Sequence, residues 1–76
     1  MDVATVQSDL VRIEAELASG ADRIERQWAM IHALRRSGVD TAPAEQLLHS
    51  YATLQSTRQL DRNRLRRELA RQRQLA

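Results

Sequence analysis

The sequence predicts an all-α fold, an antiparallel two-helix hairpin that resembles a coiled coil. Three observations indicate it: an apolar stripe in the first half, a turn signal at Gly38, and a second stripe after that turn. The first stripe alternates steps of three and four residues, which places its side chains on one seam of a long helix. It consists of Val3, Val6, Leu10, Ile13, Leu17, Gly20, Ile24, Gln27, Ile31 and Leu34. The second consists of Ala44, Leu47, Tyr51, Leu54, Leu65, Leu69 and Leu75.

The helix boundaries follow from capping residues within a single domain, residues 1–76. Helix 1 is predicted over about residues 2–37, the loop at about 38–40, and helix 2 over about 41–74. Asp2 is a suitable N-cap, and Gly38 suits the left-handed position that follows many helix ends. Asp40 and Thr41 are N-cap residues for helix 2, and Pro43 falls in its first turn, where a missing N–H is tolerated. Such a short loop makes the helices antiparallel neighbours.

One alternative divides helix 1 in two. Ser19-Gly20-Ala21-Asp22 resembles a capping box, so a new helix starting there would produce a three-helix fold. We favour the continuous helix, because the heptad register passes through Gly20 without interruption.

The two stripes predict which residues meet. Positions whose numbers sum to about 78 face each other if the chain folds back at Gly38. Arg58 then lies over Gly20, which leaves room for its stem, and Asp61 lies one turn further on to receive its charge. Gln27 lies beside Tyr51 and is expected to hydrogen-bond its hydroxyl.

Composition excludes several classes of protein. The chain has no Cys, which excludes disulfides and thiolate chemistry. Its longest apolar run is too short to cross a bilayer, and the start Met1-Asp2-Val3 is unlike a signal peptide. We therefore expect a cytoplasmic protein without a membrane partner. Since two helices bury only a small core, we also expect something else to cover them.

Charge is distributed unevenly along the chain. Residues 2–25 hold six acids and two Arg, net −4, whereas residues 58–73 hold seven Arg and two acids, net +5. The hairpin brings these segments together, so we expect them to neutralise each other. The alternative is a nucleic-acid-associated protein that contacts phosphates through its second helix. Its contacts would be Arg62, Arg64, Arg66, Arg67, Arg71 and Arg73. No aromatic residue lies among them to stack on bases, which favours neutralisation.

The single Trp indicates a partner surface. Trp28 lies one position past the seam, so it either flanks the hairpin core or belongs to an interface, where Trp is enriched. The second interpretation predicts an interface made of Trp28, Ile31, Leu48, Tyr51 and Ala52. A second copy completing a four-helix bundle, or a helical protein partner, would cover these residues. The predicted function is a small protein–protein interaction or structural module.

Residues with catalytic or metal-binding chemistry are few. There is no Gly-rich phosphate loop and no Ser/His/Asp arrangement, so we expect neither an enzyme nor a bound cofactor or small-molecule substrate. His32, Glu45 and His49 lie near the loop, but zinc needs three or four ligands in a tight arrangement. We therefore favour surface histidines, with a metal site as the alternative.

Several short segments resemble a known set of proteins. They are Gly38-Val39-Asp40-Thr41-Ala42, Leu47-Leu48, Arg62-Asn63-Arg64-Leu65 and Glu68-Leu69. They are similar to segments of short, uncharacterised bacterial helical-hairpin proteins with a Gly-x-Asp-Thr turn and an Arg-x-Arg-Leu segment near the C-terminus. The resemblance covers roughly the last two thirds of the chain. It implies a bacterial origin and an all-α fold, and it implies no catalytic residue.

Overall fold

Two helices of equal length make up the hairpin. The computed structural model describes residues 2–75, with α1 spanning Val3–Arg36 and α2 spanning Ala42–Leu75. The helices pack side by side, and the Cα atoms extend over 60 × 15 × 13 Å. The predicted all-α hairpin is confirmed. The three-helix alternative is wrong, because α1 passes through Gly20 without a break.

Both ends of α1 are capped by the predicted residues. The Asp2 carboxylate accepts a hydrogen bond from the Thr5 backbone N–H at 2.7 Å, as an N-cap does. At the other end Gly38 adopts φ 73°, a left-handed conformation that residues with a Cβ rarely adopt. The N–H of Val39 then donates to the carbonyl of Leu34 at 3.0 Å. This is the Schellman arrangement, which satisfies carbonyls that the helix end leaves unpaired.

The loop is longer than predicted, at residues 37–41. Asp40 caps α2 by accepting a hydrogen bond from the Ala42 N–H at 3.0 Å, and Pro43 lies in the first turn as expected. Both helices begin one residue later than predicted, and each ends within one residue of its predicted end. The difference is of the size that helix ends commonly show.

The apolar core is concentrated far from the loop. Val6, Leu10, Ile13 and Leu65 form one buried cluster, and Leu69 packs against it. Two further apolar side chains of α1 are buried, Leu17 in the middle and Ile31 towards the loop. Between them the seam of α1 holds Gly20, the half-buried Ile24 and Gln27.

The predicted stripe of α2 is wrong at three leucines. Leu47, Leu54 and Leu75 are 43%, 42% and 74% exposed. The side chains that lie along the seam instead recur at alternating steps of four and three residues. They are Ala44, Leu48, Tyr51, Gln55, Arg58, Arg62, Leu65, Leu69 and Gln72.

The cost of burying carboxylates explains this choice. One column of α2, at 47, 54, 61, 68 and 75, would bring Asp61 and Glu68 into the seam. The adjacent column, at 48, 55, 62 and 69, contains no acid, and the long stem of Arg62 can be buried while its charge reaches water. The helix therefore turns the second column inward.

The helices consequently meet in a register different from the predicted one. Facing positions sum to about 75 instead of 78, and Gly20 meets Gln55 instead of Arg58. A Cβ atom on Gly20 would lie 2.1 Å from the Gln55 Oε1 atom. The amide nitrogen of Gln55 donates to the Leu17 carbonyl at 2.7 Å. The missing side chain at position 20 thus makes room for a glutamine that binds the backbone of α1.

Two other predicted contacts are also replaced. Gln27, only 5% exposed, donates to the Ala44 carbonyl at 2.8 Å and not to the Tyr51 hydroxyl. The Tyr51 ring instead lies beneath the Arg23 guanidinium, 5.4 Å from its centroid. The buried Gln27 and the half-buried Gln55 therefore each donate to a backbone carbonyl of the opposite helix.

The register predicts a specific coupling between positions 20 and 55. In a helix interior Gly20→Ala alone is expected to stabilise by about 1 kcal/mol through helix propensity. Here the methyl group displaces the Gln55 amide and removes a hydrogen bond of about 1 kcal/mol, so the gain is lost. In a Gln55→Ala background the full gain returns. Urea denaturation of the four variants should give a coupling energy of about 1 kcal/mol or more.

Arg58 provides the control for that cycle. Gly20→Ala and Arg58→Ala should be additive within a few tenths of a kcal/mol. Coupling to Arg58 without coupling to Gln55 would restore the register that sums to 78.

Candidate interaction surfaces

Two ion pairs between the helices mark one long side of the hairpin. Arg66 Nη2 lies 3.1 Å from Glu14 Oε1, and Arg35 pairs with Glu45 near the loop. Residues seven apart on a helix share a side when they flank the same seam. The pairs therefore fix which flank of α1 lies beside which flank of α2.

Trp28 lies on this ion-paired side, one heptad before Arg35. It is 44% exposed, and its ring stacks on His32 at 5.9 Å between centroids and 26° between planes. Ala52, one heptad after Glu45, belongs to the same side and is exposed. We call Trp28, His32 and Ala52 the Trp face.

The predicted partner interface does not form one surface. Trp28 and Ala52 both belong to the Trp face, and their role in a partner interface stays a prediction. Ile31 is 0% exposed, so its assignment to an open interface is wrong. Leu48 and Tyr51 are half-buried along the seam. Ile31 is buried because it is a seam residue of α1 in an unbroken heptad pattern.

The opposite side carries a second apolar surface, which the apolar stripes of the sequence did not predict. Leu47 and Leu54 each come one position before a seam residue of α2, whereas Ala52 comes one position after a seam residue. The two leucines and Ala52 therefore lie on opposite edges of the helix. Met30 likewise precedes Ile31. Met30, Leu47 and Leu54 are 44%, 43% and 42% exposed, and we call them the leucine face. The sequence does contain a signal for this surface. Steps of four and three residues, counted back from Leu69 through Leu65, place Leu48 and not Leu47 on the seam.

A shallow groove continues the leucine face away from the loop. Its volume is about 240 Å³, and it is lined by Ala15, Glu16, Ser19, Gly20, Arg23 and Arg58. Arg58 Nε lies 3.5 Å from Glu16 Oε2, while Arg23 lies over the Tyr51 ring. We call it the arginine groove. Two guanidinium groups against one carboxylate leave it with a net charge of +1, which favours a negatively charged occupant.

Charge pairing between the helices is confirmed at two arginines. Arg58 pairs with Glu16, and Arg66 pairs with Glu14. Arg58 was expected to pair with Asp61 instead, which lies 3.5 Å from Arg64. The acidic half of α1 thus neutralises only part of the Arg-rich half of α2.

The other arginines of α2 pair locally or with no acid. Arg71 Nε donates to Glu68 Oε2 at 3.0 Å. Within residues 2–75 no ion pair involves Arg62, Arg67 or Arg73. Arg64, Arg67 and Arg71 follow one another at steps of three and four residues, so they form a row on the outer surface of α2.

Metal ligands and membrane spans are not found in the described part of the chain. No group of three His, Asp or Glu side chains within residues 2–75 is placed to hold a metal ion. His32 stacks on Trp28, and Glu45 pairs with Arg35. Neither α1 nor α2 contains a stretch that is long and apolar enough to span a membrane.

Hydrogen bonding changes the acidity of one carboxyl group near the end of α2. The Arg71 guanidinium, and after it the Gln72 amide, lower the pKa of Glu68 from 4.5 to about 2. Because the pKa is lower in the folded chain, these contacts stabilise the helix above about pH 4.5. That stabilisation is lost as the pH falls towards 2.

We expect a carbon-detected NMR titration to place the pKa of Glu68 near 2 and Arg71→Gln to return it towards 4.5. Arg64→Gln removes the same charge from the same helix but not the hydrogen bonds, so it should leave this pKa unchanged. An Arg71→Gln variant in which Glu68 still titrates near 2 would contradict the assignment.

No protein-family profile, curated protein or solved structure matches this chain. The resemblance to bacterial helical-hairpin proteins therefore stays a prediction. The features of the molecule that bear on function are its two apolar faces and the charges beside them.

Proposed function

We propose that the protein is a small protein–protein interaction module whose loop-proximal half packs against another helical surface. One observation carries this proposal. Met30, Leu47 and Leu54 on the leucine face, and Trp28 on the opposite Trp face, are all between 42% and 44% exposed. At 1.5 Å per residue, all four lie within roughly 20 Å of the loop end of their helix. Clusters of large exposed apolar side chains usually mark binding surfaces.

The total surface of the chain supports the proposal. A compact monomer of this mass exposes about 4,700 Å², whereas this hairpin exposes 5441 Å². The excess is about 700 Å², close to the roughly 800 Å² that each partner buries in an interface of standard size. A second layer of helices would therefore bring the exposed area to the value typical of a folded domain.

The small core also supports a partner. Within residues 2–75 only six apolar side chains are buried, and four of them form the cluster far from the loop. The middle of the seam holds Gln27 and Gln55, whose hydrogen bonds contribute modestly to stability. Added apolar burial in the loop-proximal half would offset this shortage.

Site-specific photo-crosslinking in the cells that produce the protein tests the proposal. We expect p-benzoylphenylalanine in place of Trp28 or Leu54 to form covalent adducts with a protein. The same amino acid in place of Val11 or Leu60, which are 71% and 69% exposed but outside both faces, should form few. Equal yields at all four positions, or none at any, would contradict the proposal.

The outer arginine row favours a second candidate function, association with nucleic acid. Arg64 and Arg71 side chains are 71% and 59% exposed, and Arg67 has no acidic partner within residues 2–75. Guanidinium groups in a row can neutralise phosphates along a backbone. Each of the two paired arginines is bound to a carboxylate of its own helix, which weakens this candidate.

We expect weak binding to random duplex DNA at physiological salt, with no sequence preference. Arg64→Gln, Arg67→Gln and Arg71→Gln together should change it little more than Arg12→Gln, Arg26→Gln and Arg36→Gln, which remove equal charge from α1. Fluorescence anisotropy of a labelled duplex measures the affinity of each triple variant. Tight binding that only the first triple variant loses would make nucleic-acid association the better proposal.

A further inference from the structure

We propose that the arginine groove binds a phosphate group, either as inorganic phosphate or as the phosphate of a small monoester. The proposal goes beyond the interaction function and does not depend on it, because it concerns a small ligand and not a partner protein. Three properties of the groove lead to it: guanidinium groups with unused donors, the directions from which they reach the groove, and the size of the groove.

Arg58 places a charge on the seam, where a coiled coil usually holds an apolar side chain. Its side chain is 26% exposed, and its Nε atom lies 3.5 Å from Glu16 Oε2. Hydrogen bonds from nitrogen to oxygen measure about 2.7–3.2 Å, so this ion pair leaves the guanidinium without a hydrogen-bond acceptor among residues 2–75. Leaving a partly buried charge without hydrogen bonds is costly, and a bound anion would remove that cost.

Arg23 reaches the same groove from α1. Its guanidinium lies over the Tyr51 ring, 5.4 Å from the centroid. This contact positions the charge but provides no oxygen acceptor for its N–H donors. No acid within residues 2–75 pairs with Arg23. Two guanidinium groups with unused donors therefore approach one groove from two different helices.

The acids near the groove do not neutralise both of these cations. Glu16 also pairs within α1, where Arg12 Nη1 lies 3.3 Å from Glu16 Oε1. The next acid along α2, Asp61, lies 3.5 Å from Arg64 and does not line the groove. The groove therefore keeps an excess of positive charge, which attracts an anion.

The arrangement of the two guanidinium groups suits phosphate better than carboxylate. A carboxylate has two oxygen atoms in one plane and pairs with a single guanidinium through two parallel hydrogen bonds. A phosphate monoester has three acceptor oxygens and a charge of about −1.5 to −2 at neutral pH. It can therefore accept from donors that reach it from two directions, and its charge is close to that of two arginines.

The size of the groove limits the ligand. Its volume of about 240 Å³ lies below the range of roughly 300–1,000 Å³ found for sites of drug-sized ligands. Ala15 and Gly20 line it with little side-chain volume, and Ser19 adds a hydroxyl that can donate to an anion. A phosphate group with a few attached atoms fits this space, whereas a larger ligand would extend onto the surface.

An NMR titration of the natural chain with inorganic phosphate at constant ionic strength tests the site. We expect the side-chain Nε–Hε signals of Arg23 and Arg58 to shift saturably, with a Kd of about 1 mM or below. The same signals of Arg26 and Arg64, whose side chains are 73% and 71% exposed, should move little. Shifts that grow without saturation, or that are equal at all four arginines, would overturn the proposal.

Two matched pairs of variants separate the groove from the overall charge of the chain. Arg23→Gln and Arg58→Gln should each weaken phosphate binding by about tenfold or more, because each removes charge-assisted hydrogen bonds. Arg26→Gln and Arg64→Gln remove the same charge from the same helices and should leave the affinity nearly unchanged. The backbone amide signal of Gly20 reports binding in all four variants, and equal losses in all of them would overturn the site.

Circular dichroism checks the helix content of each variant. If Arg58→Gln does not fold, the side-chain signals of the natural chain still decide whether phosphate binds at Arg23 and Arg58.

Two further ligands identify the chemistry that the groove recognises. Methyl phosphate that binds at least as tightly as inorganic phosphate would assign the groove to a monoester, and weaker binding would assign it to free phosphate. Acetate at the same concentrations should not shift the Arg23 and Arg58 signals. Acetate binding equal to that of phosphate would overturn the choice of phosphate.

Discussion

The rotation of α2 about its own axis determines most of this structure, and two carboxylates set it. Turning Asp61 and Glu68 into the seam would bury two charges that now stay partly exposed, each paired with an arginine of its own helix. The helix instead presents the column that holds Leu48 and Leu69. Because a helix rotates as one body, keeping those acids near water far from the loop leaves Leu47 and Leu54 exposed near the loop. The leucine face is therefore a consequence of charge in the other half of the molecule.

The polar residues of the seam form a second constraint. Gln27 and Gln55 each reach across to a backbone carbonyl of the opposite helix. In coiled coils a polar residue on the seam favours one register at some cost in stability. The same holds here, since apolar residues at both positions would add buried area but would fit several alignments equally well. The hairpin thus combines a well-specified alignment with a small apolar core.

The sequence was sufficient for α1 and for the ends of both helices, but not for the rotation of α2. In α1 one pair of columns holds nearly every large apolar residue, and Asp2 and Gly38 are suited to helix ends by their local chemistry. In α2 the leucines are divided between two adjacent columns, so counting apolar residues favoured Leu47 and Leu54. The cost of burying Asp61 and Glu68 decides between the columns. The predicted interface depended on the same rotation of α2. It therefore included Trp28 and Ala52 but neither Leu47 nor Leu54.

The pairing of Gly20 with Gln55 removes an ambiguity inherent in every heptad repeat. Sliding one helix past the other by seven residues returns apolar positions to apolar positions, so several alignments look alike to the hydrophobic effect. Only one of them brings a residue without a side chain opposite a residue whose amide needs that space. Gly20 therefore excludes the shifted alignments sterically, because only Gln55 needs the space that its missing side chain leaves. A hairpin aligned in this way keeps a constant distance between its loop and the residues exposed along its two helices.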